Sequence, residues 1–118
     1  MHPEWFQISD QAVQTIQRAK LAGGRVIAVG TTAARSLESS VDEAGTLKPQ
    51  SAETRLFITP GFSFNVVDVL LTNFHFPETT LLMLVSAFAG IDLARQAYEH
   101  AVAERYRFYS YGDAMLIE

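Results

Sequence analysis

The stretch GGRVIAVGTTAARSLES, residues 23–39, decides the fold class of this 118-residue chain. A short apolar run at 26–29 follows two glycines and precedes a third, which is typical of a strand buried on both faces of a parallel sheet. Gly30-Thr31-Thr32 comes next, and then a helical stretch from 33 to about 40 with a threonine as its N-cap. A strand, a turn and a helix in this order predict an α/β domain.

A helix and a loop flank this unit. Residues 9–22 are predicted as a helix, because Ser9 can cap its first turn and the glycines at 23–24 can end it. Residues 42–54 carry the weakest apolar signal of the chain, which indicates an exposed loop or a hairpin tip at 42–46. The flanks therefore add one surface helix and one exposed connection.

The middle of the chain predicts two further strands. Residues 55–58 indicate the first, the segment 59–61 a turn with proline at its first central position, and residues 66–71 the second strand. Asp68 interrupts that second strand among valines and leucines. A buried carboxylate without a partner is costly, so Asp68 needs a partner whatever its role.

Two helices and a last strand complete the prediction. A helix begins near Pro77, and because residues 81–88 leave it no polar face, it is expected to be central and buried. Asp92 can cap the next helix, and residues 106–111 alternate aromatic and polar side chains as a strand does, before a break at 112–113. The whole pattern predicts an α/β fold with a mixed, partly parallel sheet flanked by helices.

Size and composition exclude several classes of protein. The chain is long enough for a single domain, 1–118, with a hydrophobic core. It has no cysteine, which excludes disulfides, thiolate catalysis and Cys-bearing zinc sites. Its net charge of −4 requires any contact with nucleic acid to use a local basic patch, and no apolar run is long enough to cross a bilayer. We therefore expect no metal, no membrane and a cytoplasmic location.

Polar residues follow three predicted strands at their carboxyl ends, where open α/β sheets bind ligands. These clusters are Gly30-Thr31-Thr32 with Arg35 one turn later, the segment 72–75, and the segment 110–113. If the three strands run parallel, the clusters share one rim of the sheet. This convergence predicts a ligand site at that rim.

Each cluster also has a purely structural interpretation. Gly30-Thr31-Thr32 can cap a helix as readily as it can bind an anion, and it matches neither nucleotide-binding glycine motif. His75, between two phenylalanines, can be a half-buried structural histidine or a proton carrier. Asp68 can pair with an arginine inside the fold, and Asp113 can be a turn residue or an acid–base group. The residues alone leave these alternatives open.

Five segments of the chain resemble one known family, the S-adenosylmethionine:tRNA ribosyltransferase-isomerases of queuosine biosynthesis. They occur in the order of that family and leave mainly 42–54 unmatched. The run TNFHFPETTLLMLVSAFAG, residues 72–90, is the most specific part. The segments are HPEWF (2–6), GGRVIAVGTTAARSLES (23–39), the run at 56–90, AYEHA (97–101) and ERYRFYSYGDAMLI (104–117).

The resemblance implies that S-adenosylmethionine serves as a ribosyl donor. Family members transfer and isomerise its ribosyl group onto 7-aminomethyl-7-deazaguanine in tRNA, and the products are epoxyqueuosine-tRNA, adenine and methionine. No cofactor is expected beyond S-adenosylmethionine as co-substrate. The expected partner is tRNA, bound through the complete enzyme.

The resemblance also implies roles for the rim. The chemistry needs a base that takes a proton from the sulfonium-activated ribose carbon, and groups that assist the departure of adenine. The catalytic candidates are Asp113, His75 and Asp68, in that order. The expected substrate-binding residues are Thr31, Thr32, Arg35, Thr72 and Asn73.

The chain departs from the family pattern in its length. Family members are much longer and also contain a β-barrel domain, and their H-x-E-W segment lies inside the chain, whereas Met1 immediately precedes it here. We therefore expect the C-terminal part of the catalytic α/β domain of a larger two-domain enzyme, inactive or poorly active alone. The alternative is a non-catalytic module that self-associates or complements a separate N-terminal polypeptide.

Overall fold

Five strands and four helices follow one another in the computed structural model, which describes residues 3–75, 80–109 and 112–118. The strands are β1 (Glu4–Ile8), β2 (Ile27–Val29), β3 (Gln50–Thr54), β4 (Val69–Asn73) and β5 (Ala114–Ile117). The helices are α1 (Asp10–Leu21), α2 (Thr31–Glu38), α3 (Thr80–Ala89) and α4 (Ile91–Ala103). The predicted α/β fold class is confirmed.

The strands form two separate sheets. Within the described residues, β2, β4 and β5 make a mixed sheet in the order β2-β4-β5, with β2 parallel and β5 antiparallel to β4. The strands β1 and β3 make a two-stranded antiparallel sheet. The mixed, partly parallel sheet is therefore confirmed, and a second small sheet is added to it.

The second sheet corrects the prediction of an exposed loop over 42–54. Residues 50–54 pair with β1 through their backbone, while most of their side chains are exposed. No apolar alternation reveals such a strand, because backbone pairing rather than side-chain burial holds it. The hairpin tip at 42–46 is confirmed, since Asp42 N–H donates to Thr46 O at 3.0 Å.

Two other strand predictions are wrong. Residues 55–58 form no strand, although Ile58 is fully buried. The described part of 106–111 is not a strand either, and β5 follows it instead. The rings of Tyr106 and Phe108 each lie 5.6 Å from the ring of Phe74, so aromatic packing produces the alternation there. Residues 110–111 of that prediction lie outside the described residues.

The boundaries of α1 are close to those predicted. The Ser9 hydroxyl accepts a hydrogen bond from Ala12 N–H at 3.1 Å and so caps the first turn. After the helix, a Cβ on residue Gly24 would lie 2.9 Å from Ala19 O, so the chain leaves α1 at a position that only glycine fills without a clash.

The helices α2 and α4 begin differently from the prediction. Gly30 and Gly90 occupy their N-caps, at φ 95° and 92°, where neither the predicted threonine nor Asp92 caps through its side chain. These angles lie in the left-handed region that glycine adopts without strain. The predicted start of α3 near Pro77 lies outside the described residues.

No single described helix is long and apolar enough to cross a membrane. The helices α3 and α4 meet that test jointly, by length and composition, with a bend of 118° between them.

Three apolar clusters hold the elements together. The central cluster joins the mixed sheet to α2 and α3 and contains Ala28, Ala34, Ile58, Val67, Leu70 and Leu84. The other two pack α1 on the small sheet and α3 on α4. The helix α3 is less buried than expected, because Met83 is 42% exposed while Leu84 is fully buried.

Burial of β2 also differs from the prediction. Ala28 points into the core and is 2% exposed, but its neighbours Ile27 and Val29 are 54% and 67% exposed. Successive side chains of a strand point to opposite faces, so β2 is covered on one face and open on the other. Ile27 and Val29 therefore lie on a face that is largely accessible to solvent at these two side chains.

A buried carboxylate on α2 fixes the approach to β4. Glu38 is 3% exposed, and its Oε1 accepts a hydrogen bond from Asn65 N–H at 2.7 Å. Its Oε2 accepts hydrogen bonds from Val66 N–H and Val67 N–H, both at 2.9 Å. Three backbone donors thus satisfy a charge that would otherwise be costly to bury.

We predict that Glu38→Gln destabilises the chain by roughly 3 kcal/mol, because the amide nitrogen replaces one acceptor oxygen and faces backbone donors. Urea unfolding followed by circular dichroism measures the change. Glu99→Gln is the matched control, since the Glu99 side chain is 71% exposed and is expected to leave stability nearly unchanged. Equal stabilities for the two variants would contradict the role of Glu38.

Candidate functional site

A cleft of about 520 Å³ opens where β2 and β4 end and β5 begins. The strand β5 runs antiparallel to β4, so its first residue, Ala114, lies opposite Asn73, the last residue of β4. The segment after Gly112 therefore reaches the predicted rim by beginning a strand there rather than by ending one. The described lining residues are Val29, Gly30, Thr31, Thr32, Leu71, Thr72, Asn73, His75 and Ala114.

The junction of β2 and α2 forms one side of the cleft. Gly30 N–H donates to Leu71 O at 2.8 Å, which ties the junction to β4. Thr31 and Thr32 then begin α2, whose first turn carries backbone N–H groups without intrahelical acceptors. Hydroxyl groups and a helix N-terminus at the same place suit the hydroxyl or anionic groups of a ligand.

His75 lies on the other side of the cleft and is 9% exposed. Its Nε2 lies 3.0 Å from the Thr72 hydroxyl, which can donate to the ring or accept from it. Its backbone N–H donates to the Tyr98 hydroxyl at 2.9 Å. Burial lowers the pKa of His75 below its ordinary value of 6.5, so the ring is neutral at pH 7.

Tyr98 of α4 is a residue that the sequence pattern did not single out. It is 7% exposed, and its ring lies 5.4 Å from the ring of Phe74 in an edge-to-face contact. Burial raises the pKa of Tyr98, and the hydrogen bond from His75 N–H opposes that rise. No sequence signal revealed the partner of its hydroxyl.

Asp113 immediately precedes Ala114, which lines the cleft, and is itself half-buried. Its Oδ2 accepts a short hydrogen bond from Arg107 N–H. The carboxylate thus connects residue 113, just before β5, to the backbone of residue 107. It lies at the edge of the cleft with one oxygen engaged by the backbone.

Asp68 lies at the opposite end of β4 from the cleft. It precedes the strand, and roughly 17 Å of extended chain separates it from Asn73. Its Oδ2 accepts a hydrogen bond from Val26 N–H at 2.8 Å and lies 3.8 Å from Lys20 Nζ. The expectation of a buried carboxylate within a strand is wrong, because Asp68 precedes β4 and is exposed. Its partners are a backbone amide and a lysine, and the structure does not bring Asp68 to the rim.

Arg35 also lies away from the cleft lining. It is 1% exposed, with its NH1 at 2.7 Å from Glu4 Oε1 and its Nε donating to Leu56 O at 3.2 Å. Thr32 donates to the second oxygen of the same carboxylate, Glu4 Oε2, at 2.9 Å. Arg35 was expected to bind substrate, but within the described residues its guanidinium pairs with a carboxylate of β1.

The chemical character of the cleft follows from its lining. Its described side chains supply hydroxyls, one amide and one neutral imidazole, which can bind polar groups and accept a proton. Among the described residues, no group of three or more His, Asp or Glu side chains could hold a metal ion. The arrangement is suited to acid–base chemistry on a polar, hydroxyl-bearing substrate.

Comparison with known proteins connects this cleft to one family. The family model described as "Queuosine biosynthesis protein" matches residues 1–117. A relative from Dechloromonas aromatica is 62% identical over 118 residues, covering 100% of this chain and 34% of the relative. A relative from Magnetococcus marinus is 61% identical over 117 residues, covering 99% of this chain and 32% of the relative. Both are named S-adenosylmethionine:tRNA ribosyltransferase-isomerase.

A solved structure is similar over nearly the whole chain. It is the crystal structure of S-adenosylmethionine tRNA ribosyltransferase from Thermotoga maritima, with a TM-score of 0.86 and 46% sequence identity. The similarity covers 97% of this chain and 40% of that one. The chain spans about a third of the length of the curated relatives it matches.

We predict that the imidazole of His75 titrates below pH 6.5 in the folded chain, because burial disfavours its cation. Nuclear magnetic resonance of the ring carbons measures the midpoint, and the same chain in urea provides the unfolded reference. Between the lowered pKa and 6.5 the unfolded state binds more protons, so the free energy of unfolding falls as the pH drops through that window. A folded-state midpoint at or above the unfolded one would contradict the burial of the ring.

We predict that Tyr98→Phe destabilises the chain by roughly 1–3 kcal/mol, because the buried His75 N–H loses its acceptor. Chemical unfolding measures the loss, and hydrogen exchange at the His75 amide is expected to accelerate. Tyr106→Phe is the matched control, since Tyr106 is 39% exposed and its hydroxyl lies a long 3.4 Å from His100. Unchanged exchange at His75 in Tyr98→Phe would show that the hydroxyl does not hold this segment.

Proposed function

Because the chain belongs to the family of queuosine biosynthesis proteins, we propose that it supplies one side of the active site of an S-adenosylmethionine:tRNA ribosyltransferase-isomerase. The observation that carries the proposal is the meeting of Thr31, Thr72 and His75 in one cleft at the end of a parallel strand pair. That is the place where α/β sheets bind their ligands. The cleft lies within residues 1–117, which the family model matches.

The reaction proposed for the complete enzyme transfers and isomerises the ribosyl group of S-adenosylmethionine. The acceptor is 7-aminomethyl-7-deazaguanine in tRNA, and the products are epoxyqueuosine-tRNA, adenine and methionine. S-adenosylmethionine is then a co-substrate rather than a resident cofactor. Modification of tRNA implies a cytoplasmic location.

His75 is the first choice for the base that takes a proton from the sulfonium-activated ribose carbon. It lines the cleft, and its lowered pKa keeps the ring neutral and able to accept a proton at pH 7. Thr72 and Tyr98 fix the ring and the backbone beside it. Asp113, at the edge of the cleft, is the second choice, and it suits a role in assisting the departure of adenine.

The substrate-binding role divides the five candidates. Thr31, Thr72 and Asn73 line the cleft and are proposed to hydrogen-bond the ribose and amino-acid portions of S-adenosylmethionine. Thr32 also lines the cleft while donating to Glu4. Arg35 is proposed to act indirectly, because its pairing with Glu4 holds β1 beside the start of α2.

The isolated chain is proposed to be inactive or poorly active. It spans about a third of its relatives, and Val29 of the cleft lining is 67% exposed, so the cleft is open toward solvent on that side. Its net charge of −4 also leaves most of the tRNA contact to the rest of the enzyme. The second candidate function, a non-catalytic oligomerising or complementing module, is favoured by the same exposed strand.

The test of the proposed function is the release of adenine from S-adenosylmethionine in the presence of substrate tRNA. The 118-residue chain is mixed with a polypeptide comprising the part of the Dechloromonas aromatica relative outside the matched region. We expect adenine from the mixture and little from either component. Adenine from the 118-residue chain alone would contradict the need for the rest of the family fold, and a stable complex that releases none would favour the non-catalytic module.

Within the active mixture, we predict that His75→Gln lowers turnover by about 100-fold or more, because the base is removed while the ring's volume is partly kept. Asp113→Asn, which retains an acceptor for Arg107 N–H, is expected to have a smaller effect. Asp92→Asn on the exposed start of α4 is the control. A larger loss in Asp113→Asn than in His75→Gln would reverse the assignment of the base.

A further inference from the structure

An exposed apolar row crosses the mixed sheet on its open face. The pairing of the strands places Val29 opposite Leu71, and Leu71 opposite Leu116. Val29 and Leu116 are 67% and 60% exposed, and Ile27, two residues before Val29 on the same face, is 54% exposed. Side chains at paired positions point to the same face, so Ile27, Val29, Leu71 and Leu116 share one face of the sheet, called the open face below. Val69, the partner of Ile27 on this face, is 1% exposed, and the Arg25–Glu118 ion pair lies at that end of the face.

The open face is unusual for a sheet that contains a parallel pair. Sheets with parallel strands are normally covered on both faces, because crossover connections place helices on each side. Here the opposite face, represented by Ala28 and Leu70, is 2% and 0% exposed and packs in the central core cluster. In the described residues β2 pairs with β4 alone, so its outer edge offers unpaired backbone groups next to the open face.

The open face is continuous with the candidate site. Val29 and Leu71 line the cleft together with Asn73 and Ala114. Asn73 and Ala114 are paired two residues beyond the pair of Leu71 and Leu116. A polypeptide seated on the open face would therefore stand at the rim of the cleft. It would form the side of the site that the described residues leave open.

We propose that the open face is the docking surface for the remaining two thirds of the family fold, the part that lies outside the 34% of the Dechloromonas aromatica relative spanned by this chain. This chain is 62% identical to the matched region of that relative, and its structure is similar to the Thermotoga maritima enzyme with a TM-score of 0.86. Those proteins are therefore expected to contain the same sheet. A sheet with parallel strands is normally covered on both faces, and in those proteins the rest of the polypeptide can cover the open face. This inference rests on family membership and not on the proposed chemistry.

The test is direct binding between the 118-residue chain and a polypeptide comprising those remaining two thirds. Analytical ultracentrifugation gives the stoichiometry and titration calorimetry gives the Kd. We expect a one-to-one complex that forms at micromolar concentration or below. Failure to form a complex at about 100 μM, which corresponds to a binding free energy weaker than about −5.5 kcal/mol, would overturn the proposal.

Charged substitutions locate the interface. Ile27→Lys and Leu116→Lys are each expected to weaken binding about tenfold or more, because each introduces a charge into an apolar contact. Ile27→Thr, a β-branched exchange that suits a strand, is expected to weaken binding less and guards against loss of the fold. Leu21→Lys on α1 is the matched control, since Leu21 is 89% exposed but lies off the open face, and its Kd is expected to stay within about twofold.

The other outcomes each decide the question. If the chain alone forms a dimer that Leu116→Lys disrupts, a second copy occupies the open face and the proposal is wrong. Binding that all the open-face variants leave unchanged would also overturn it. A complex that depends on Ile27 and Leu116 but releases no adenine would keep the docking surface and contradict the proposed reaction, so the two proposals fail separately.

Discussion

Hydrogen bonds from three backbone amides to the Glu38 carboxylate attach the segment before β4 to the end of α2. Glu38 is the last residue of α2, where the negative end of the helix dipole opposes a carboxylate. The amides of residues 65–67 offset that opposition, and they fix the segment that enters β4. Because α2 follows β2 directly, this attachment brings β4 alongside β2 in parallel, and the carboxyl ends of both strands meet at one edge.

The helix α2 also carries a second buried charged residue, Arg35, and the two residues contact different parts of the fold. Arg35 holds β1 through Glu4, while Glu38 holds the approach to β4, so α2 joins both sheets. Neither charge is available to a ligand, because each is already paired inside the fold. The cleft is left with hydroxyls, an amide and a neutral imidazole. A site of this kind can accept protons and hydrogen bonds.

The parts of the fold that depend on interactions between neighbouring residues could be predicted from the sequence. The Ser9 cap and the β2–α2 unit, whose strand lies within the apolar run at 26–29, could be predicted, because each depends on neighbouring residues. The strand β3 could not, since its backbone pairs with β1 while its side chains remain exposed. The last strand was predicted too early in the chain, because Tyr106 and Phe108 alternate with polar residues while packing on Phe74.

The candidate site divides along the same line. The clusters after β2 and β4 lie in one cleft, as the strand ends predict. The third cluster was assigned to the end of a strand at 106–111, whereas Ala114, the first residue of the antiparallel β5, is what lies beside Asn73. The partners of Asp68 and Arg35 are tertiary contacts, to Lys20 with Val26 and to Glu4, that no local pattern reveals. The hydroxyl of Tyr98 was hidden for the same reason.

We propose that the end of the β2–β4 pair is one side of the S-adenosylmethionine site, which the rest of the family fold completes. The most direct measurement is the amide nuclear magnetic resonance spectrum of the isotope-labelled chain, bound to the remaining two thirds of the Dechloromonas aromatica relative and titrated with S-adenosylmethionine. We predict that the amide signals of Thr31, Asn73 and Ala114 shift, while those of the distant Lys20 and Val26 stay in place. Shifts confined to the groove between α3 and α4, around Ile91 and Val102, would contradict the account.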